Sequence, residues 1–435
     1  MSRAFSRAAG SGRRWLGLLS AGALRTAALF AIAVSMTAGR LGAQERIVGS
    51  RYFGVGASYE SITFDGAGLV QTAFGGLDST RITGVRQLTF PVTAAMPLGG
   101  GWRLDMTTLY SSGSVTYTDP TAGNATRTAT LSGVSDVRVR ATGRVVRDGL
   151  IVTLGANAPT GRMSLSTTEF SSLRILSSPA LGMGSTPVGS GPSGTLGLVV
   201  PQTVGGWSMA YGMSYEFRGR YQPIAALSTG SASANFAPGG VVRASVSGDR
   251  SVGPHRLSVA IATDVFGADK LKNETTADTA GRVGAGSVAT VRLGPVFSAD
   301  AQLQIAAPRV RELLAYTSYR WRAPFARDGQ TVDRSSAVYV ETGVRSAWPV
   351  ALGRDLVVSG DVRWHSGLGL DLGLPTAGVT SGGATVGLNL RRGLMAIQPY
   401  VRAQAGSLTQ RTATGNKPTQ AFSGTAAGVV FTSRF

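Results

Sequence analysis

Strict alternation of apolar and small or polar positions is the pattern that repeats along this chain. From Trp207 to Tyr221 it reads WSMAYGMSYEFRGRY. Alternate positions hold Trp207, Met209, Tyr211, Met213, Tyr215, Phe217 and Gly219, and the positions between them hold Ser208, Ala210, Gly212, Ser214, Glu216, Arg218 and Arg220. A period of two belongs to a strand whose faces meet different surroundings. Trp102–Tyr110 sets Trp102, Leu104, Met106 and Tyr110 against Arg103 and Asp105. Val137–Val145 sets Val137, Val139, Ala141 and Val145 against Arg138, Arg140, Thr142 and Arg144, and Leu257–Val265, Val358–Trp364 and Ala384–Leu390 repeat the split. Strands as long as Trp207–Tyr221 are unusual in a soluble sandwich. They suit a transmembrane barrel, with one face on lipid, one on a wet lumen, and aromatics near the interfaces.

The connections alternate in length as well. Short turns fall at Leu98–Gly101, Arg147–Gly149, Val204–Gly206, Asp249–Pro254, Ala351–Arg354 and Arg391–Gly393. Long polar stretches fall at 65–80, 119–127, 158–193, 222–236, 268–282, 323–335, 369–381 and 409–419. Short periplasmic turns and long outer loops characterise bacterial barrels. The marks predict an all-β, antiparallel transmembrane barrel of about sixteen strands, within a range of 14–18. The ambiguous stretch is 283–322, whose turn lies either near Gly294 or near Ala307–Arg309.

Both ends carry address signals. Residues 1–43 combine Arg3, Arg7, Arg13 and Arg14 with the apolar run Thr26–Ala38, which predicts a signal peptide cut at Ala43–Gln44 or nearer Ala38. Residues 44–435 are then one barrel domain. At the C-terminus Ala427, Val429, Phe431 and Phe435 share a face. The ending resembles the C-terminal strand of outer-membrane barrels, with Phe431 and Phe435 as the insertion signal, and departs from it at Ser433. The expected location is the outer membrane of a Gram-negative-type bacterium after Sec-type export.

Composition supports this reading. Glycine is 60 of 435 residues and charged residues are 15% against the usual ~25%. Cysteine is absent and there are two histidines, His255 and His365, which leaves little for thiolate, metal or triad chemistry. The formal net charge of +19 includes six arginines in residues 1–43, whose removal leaves +13. Nucleic-acid binding expects basic clusters with stacking aromatics. Here arginine alternates along strands with lipid-type residues, so no nucleic-acid partner is expected, and no cofactor or metal. The expected partners are outer-membrane lipid and lipopolysaccharide, the barrel-assembly machinery during insertion, and small-molecule solutes.

Three short motifs follow in order: SGVSDVRVR (Ser132–Arg140), NAPTGR (Asn157–Arg162) and GSGPSG (Gly189–Gly194). The order resembles the channel-like barrels of the FadL-like kind and those associated with the phenol-degradation meta-cleavage pathway. Those show a Gly-x-x-Asp strand, a Pro-Thr-Gly exit and a Gly-Ser-Gly return. The positions that carry the likeness are Gly133, Asp136, Pro159, Thr160, Gly161, Gly189 and Gly191. It implies passage of small, often hydrophobic or aromatic, compounds across the outer membrane. Fatty-acid channels of that kind carry an N-terminal plug, whereas only Gln44–Ser50 precede the first strand pattern here.

Alternation assigns Arg103, Asp105, Asp136, Arg138, Arg140, Arg144, Glu216, Arg218, Arg220, Arg345, Asp361 and Arg363 to the lumen. Arg243, Arg256, Arg292, Arg320, Arg391, Arg402, Asp264 and Glu341 join them. Fixed positive charge in a confined pore raises the local anion concentration. The sequence therefore predicts a passive channel, mildly anion-preferring, rather than an enzyme. The other readings are a structural or adhesive barrel and, last, an outer-membrane hydrolase. The hydrolase reading is weak because His255 falls in a periplasmic turn. His365 and Asp361, four residues apart on one strand face, stand about 13 Å from each other. The long segment 158–193, with its apolar run Ser171–Met183, is the candidate functional loop, either a constriction or an outer lid.

Overall fold

The computed structural model describes residues 51–65, 69–71, 80–146, 149–178, 181–183, 188–224, 234–273, 288–332, 335–367, 376–410 and 419–434. The expected signal segment, its expected cleavage point and Phe435 lie outside the described residues. Sixteen antiparallel strands close into one barrel. In chain order they are β1 (Tyr52–Phe64), β2 (Thr80–Gly99), β3 (Trp102–Asp119), β4 in two segments (Ala125–Val134 and Val137–Val146), β5 (Leu150–Ala158), β6 (Ser193–Val204), β7 (Trp207–Arg218) and β8 (Val241–Val252). The second half comprises β9 (His255–Phe266), β10 (Val296–Gln304), β11 (Glu312–Arg322), β12 (Ala337–Ala351), β13 (Arg354–Gly367), β14 (Thr376–Arg392), β15 (Met395–Gln410) and β16 (Thr419–Arg434). The barrel closes where β1 pairs with β16 from Tyr52↔Arg434 to Phe64↔Phe422. A short strand, Leu69–Gln71, pairs with the outer end of β2.

The turn predicted over Asp249–Pro254 is tighter than expected, since Asp249–Val252 stay paired with His255–Ser258. The cause is Asp249, whose carboxylate accepts hydrogen bonds from Arg256 Nε (2.7 Å) and Ser258 Oγ (2.8 Å) across the hairpin, making it a lumen residue. In 283–322 the turn falls at residues 305–311. Gly294 instead marks a bend. Beyond β7–β11 the chain bends at Gly219, Gly239–Gly240, Gly267, Gly294–Pro295 and Ala323–Pro324, and six short strands form a second sheet over that part of the rim. The strand read as Trp207–Tyr221 is therefore two elements, β7 and Tyr221–Ile224. Arg220 lies in the bend, exposed, and Arg292 lies in the second sheet, so neither belongs to a barrel strand as expected.

The lipid-facing band is explicit in the exposures: Met213 is 62% and Phe217 59% accessible on β7. Trp102, Trp207 and Trp348 ring the turn end, and Tyr59, Tyr110, Phe217, Trp321 and Trp364 ring the other end, as interface girdles do. On β1–β4 the polarity then reverses. Beyond the Phe90–Tyr110 pair, outward positions become Ser61, Thr63, Arg86, Ser114, Thr116 and Thr128, while inward positions become Ile62, Phe64, Val85, Val115 and Leu131, all buried. The outside of the wall is hydrated there and the inside is dry. The inside is dry because a loop fills it.

Candidate functional site

Between β5 and β6 the chain leaves the wall for residues 159–192 and turns into the barrel. The segment predicted as either constriction or lid contains a helix, α1 (Thr167–Leu176). Ser166 starts it: its hydroxyl accepts from Glu169 N (3.2 Å) while the Glu169 carboxylate accepts from Ser166 N (2.9 Å), a reciprocal cap. Arg162 pairs with the same carboxylate. Partial burial pushes the Glu169 carboxyl up. The hydrogen bonds from Arg162 and Ser166 outweigh that and hold it below the usual carboxylate range. The helix escaped the sequence reading, although Ser166-x-x-Glu169 ahead of an apolar run is its signature.

The loop brings Leu165, Ile175, Leu176, Leu181 and Met183 onto the wall, with Phe170, Leu173 and Val188 packed against them. The wall supplies Ile62 and Phe64 from β1, Ile82 and Val85 from β2, Val115 and Tyr117 from β3, and Ala129 and Leu131 from β4, then Val379, Leu408 and Phe422 from β14, β15 and β16. Gly113 on β3 makes the seat: a Cβ there would stand 2.6 Å from Leu176 Cδ1. Leu176 and Ile175 are fully buried. The cluster takes wall residues from β1–β4 and β14–β16, so the loop occupies one side of the lumen. An internal loop thus fills part of the lumen.

Where this loop leaves and returns, the three sequence motifs converge. The two segments of β4 meet at an irregularity, Ser135–Asp136, and Asp136 is buried there. Its carboxylate accepts from Asn157 Nδ2 (2.9 Å), Gly161 N (2.9 Å), Ser190 N (2.7 Å) and Ser190 Oγ (3.3 Å). Asn157 Nδ2 also donates to Gly191 O (2.9 Å). Thr160 Oγ1 accepts from Val137 N (2.9 Å) and donates to Ser135 O (3.3 Å). The strands approach so closely that a Cβ on Gly161 would lie 2.6 Å from Gly189 N, and one on Gly189 2.5 Å from Asp136 Oδ1. Pro159 follows the last residue of β5, and Gly133 stands opposite Ser111 on the lumen side. One carboxylate thus ties both ends of the loop to β4.

Below the loop lies a charged cluster. Arg402 Nη2 and Nη1 bond Asp361 at 2.8 and 2.5 Å, and Arg363 Nε stands 3.2 Å from Asp361 and 3.6 Å from Glu341. Tyr339 Oη donates to Glu341, as does Tyr316 Oη at 3.3 Å. Arg363 also reaches the loop, since a Cβ on Gly182 would stand 2.1 Å from its Nη1. His365, in register with Tyr339 and Val379, is buried on the same lumen face.

Strand register and ion pairs locate the remaining candidates. Asp105 bridges Arg103 at 2.9 Å and Arg140 at 3.6 Å. Arg243 bridges Asp264 at 2.6 Å, and Arg391 bridges Asp355 at 3.5 Å. Arg218 meets Asp269 of the second sheet at 3.2 Å. Glu216 faces the lumen beside Thr195 and Val241. Arg138, Arg144, Arg320 and Arg345 have no ion pair among the described residues. The alternation missed several lumen acids, among them Glu60, Asp249, Asp300 and Asp355, because they sit in segments that strand marking left out or assigned to turns. They lower the expected excess of positive charge.

Phe431 points outward and packs edge-to-face on Phe53, with ring centroids 6.3 Å apart. No family model matches the chain and no curated protein matches it. Among solved structures it is similar to Pseudomonas putida OprB at high pH, with 11% identity over 89% of this chain and 94% of that one and a TM-score of 0.43. It is also similar to a Pseudomonas aeruginosa FadL homologue (9% identity, 88% and 90% coverage, TM-score 0.39). A third is an anion-selective porin from Comamonas acidovorans (11% identity, 88% and 98% coverage, TM-score 0.37). Likeness at this level bears on neither solute nor mechanism.

Proposed function

We propose that this chain is a passive outer-membrane channel for small molecules, exported through the Sec route, in a Gram-negative-type bacterium. One observation carries the reading: the 159–192 loop packs on one side of the lumen, against β1–β4 and β14–β16. A sixteen-stranded barrel is wide enough for an aqueous channel. The inserted loop narrows it to an eccentric path along the wall from β6 to β11. That wall presents small groups such as Ser208, Ala210, Gly212, Ser245 and Ala262, together with arginine–carboxylate pairs. The loop's most apolar side chains are buried against the opposite wall, so the path between the loop and this polar wall suits small polar solutes. Anion preference is mild, carried by Arg138, Arg144, Arg320 and Arg345, since the added lumen acids offset the rest.

The test is planar-bilayer conductance of the refolded chain with and without residues 165–188. Deletion raises single-channel conductance if the loop is the constriction, and unchanged conductance refutes that placement. A folded barrel that inserts without conducting refutes the channel reading and leaves the structural or adhesive one.

A further inference from the structure

The outer wall carries a feature that passage through the lumen does not use. On β16, β1, β2 and β3 one cross-strand row of outward positions reads Thr425, Ser61, Arg86, Ser114, and it continues to Thr130 on β4. Two rows further out, Arg81 stands beside Thr118. Both arginines are exposed, and neither has a carboxylate partner among the described residues. Most lumen arginines by contrast bridge an acid. The row sits immediately beyond the aromatic girdle of Tyr59 and Tyr110, at the height of lipid headgroups. Beside it, on the lipid side, the wall is hollowed: Tyr59, Val386, Val401, Ala403, Thr425 and Ala427 line a recess of about 500 Å³. Elsewhere on that face the barrel presents bulky residues such as Met213 and Phe217.

We propose that this surface binds a phosphorylated glycolipid of the outer leaflet, the lipid A portion of lipopolysaccharide. Arg86 takes a phosphate by charge-assisted hydrogen bonds, flanked by the Ser61 and Ser114 hydroxyls, and Arg81 takes a second anionic group. One acyl chain lies in the recess. Thr425 and Arg86 are two strands apart, about 10 Å at the usual strand spacing, a span that the sugar between phosphate and acyl chain bridges. Charge complementarity and the hydroxyl row select a phosphosugar over a simple phospholipid.

The test is native mass spectrometry of the full-length mature protein refolded in detergent, titrated with diphosphorylated lipid A, dephosphorylated lipid A, phosphatidylglycerol and inorganic phosphate. The wild-type chain retains diphosphorylated lipid A over the other three. Arg81→Ala/Arg86→Ala weakens that retention by about tenfold or more, and Ala403→Trp, which fills the recess, weakens retention of both lipid A forms. Conductance stays at the wild-type value in each variant, so the outcome is separable from the channel reading. Equal retention of phosphorylated and dephosphorylated lipid A, equal retention of phosphatidylglycerol, or a double arginine variant that binds as wild type overturns the proposal. The first two comparisons use only the wild-type chain and stand whether or not a variant folds.

Discussion

Leu176→Ala removes the side chain that seats α1 in the groove over Gly113. Leu176 is 0% exposed and packs directly on Gly113, which has no side chain to move into the space it leaves. A substitution of this type in a tight site costs about 3 kcal/mol, within a range of roughly 2–5. The cost falls on docking of the loop and not on the barrel, whose strands are held by their own ladders. Because Asp136 still ties both loop ends, the loop undocks without unfolding the wall. About 3 kcal/mol multiplies the ratio of undocked to docked loop by roughly 150. In single-channel recordings the variant therefore shows frequent transitions to a higher-conductance level that are rare in wild type. Leu352→Ala, at a fully exposed periplasmic turn residue (102% accessible), serves as control and leaves the traces unchanged. If Leu176→Ala folds, migrates as a heat-modifiable barrel and gives traces indistinguishable from wild type, the loop is not a docked constriction and the packing argument fails.

Asp136→Asn keeps the shape of the latch but removes the charge from four accepted hydrogen bonds, a loss of about 3 kcal/mol at the loop ends; trypsin then cuts the folded barrel after Arg162 or Arg174 far faster than wild type, and equal cleavage rates would falsify the latch. Glu169 has a folded-state value below its ordinary 4.5, so its contribution to α1 is complete above pH about 4.5 and is lost as the pH falls through the lower folded value. Acid therefore loosens the loop, which is read as conductance rising as the pH falls below the ordinary carboxylate value, and Glu169→Gln abolishes that acid response. Replacing Arg138, Arg144, Arg320 and Arg345 together with alanine moves the reversal potential in a salt gradient toward zero or toward cations; a wild-type barrel that already prefers cations defeats the assignment of those residues.

Much of the architecture is legible in the sequence because a two-faced strand must alternate. From Trp207 to Arg218 the alternate side chains Met213, Tyr215 and Phe217 are accordingly exposed on one face, and Asp105 shares a face with Arg103 and Arg140. The reading failed where parity carries no information. Asp249 looked like a turn residue because charged and glycine-rich sequence suits both a turn and a strand end facing water. Arg220 and Arg292 kept the right parity but lay beyond bends at Gly219 and Gly294, where the chain leaves the barrel wall for the second sheet.

The candidate site was half legible. Gly133, Asp136, Pro159, Thr160, Gly161, Gly189 and Gly191 stood out as motif residues, but their spacing along the chain gave no sign that Gly161 and Gly189 close around the Asp136 carboxylate. Asp136 and Ser190 are 54 residues apart, and only pairing of β4, β5 and β6 brings them to 2.7 Å. The apolar run Ser171–Met183 announced a segment that prefers burial without saying against what.

Local sequence thus determined the strands, their faces, their order and the barrel, since alternation and turn chemistry act over a few residues. The tertiary structure alone decided three things: that the long loop turns inward, that an arginine pairs with a given acid, and that polarity reverses along β1–β4 beyond the girdle. Those outcomes depend on contacts between residues far apart in the chain, and their energies exist only once the wall has closed.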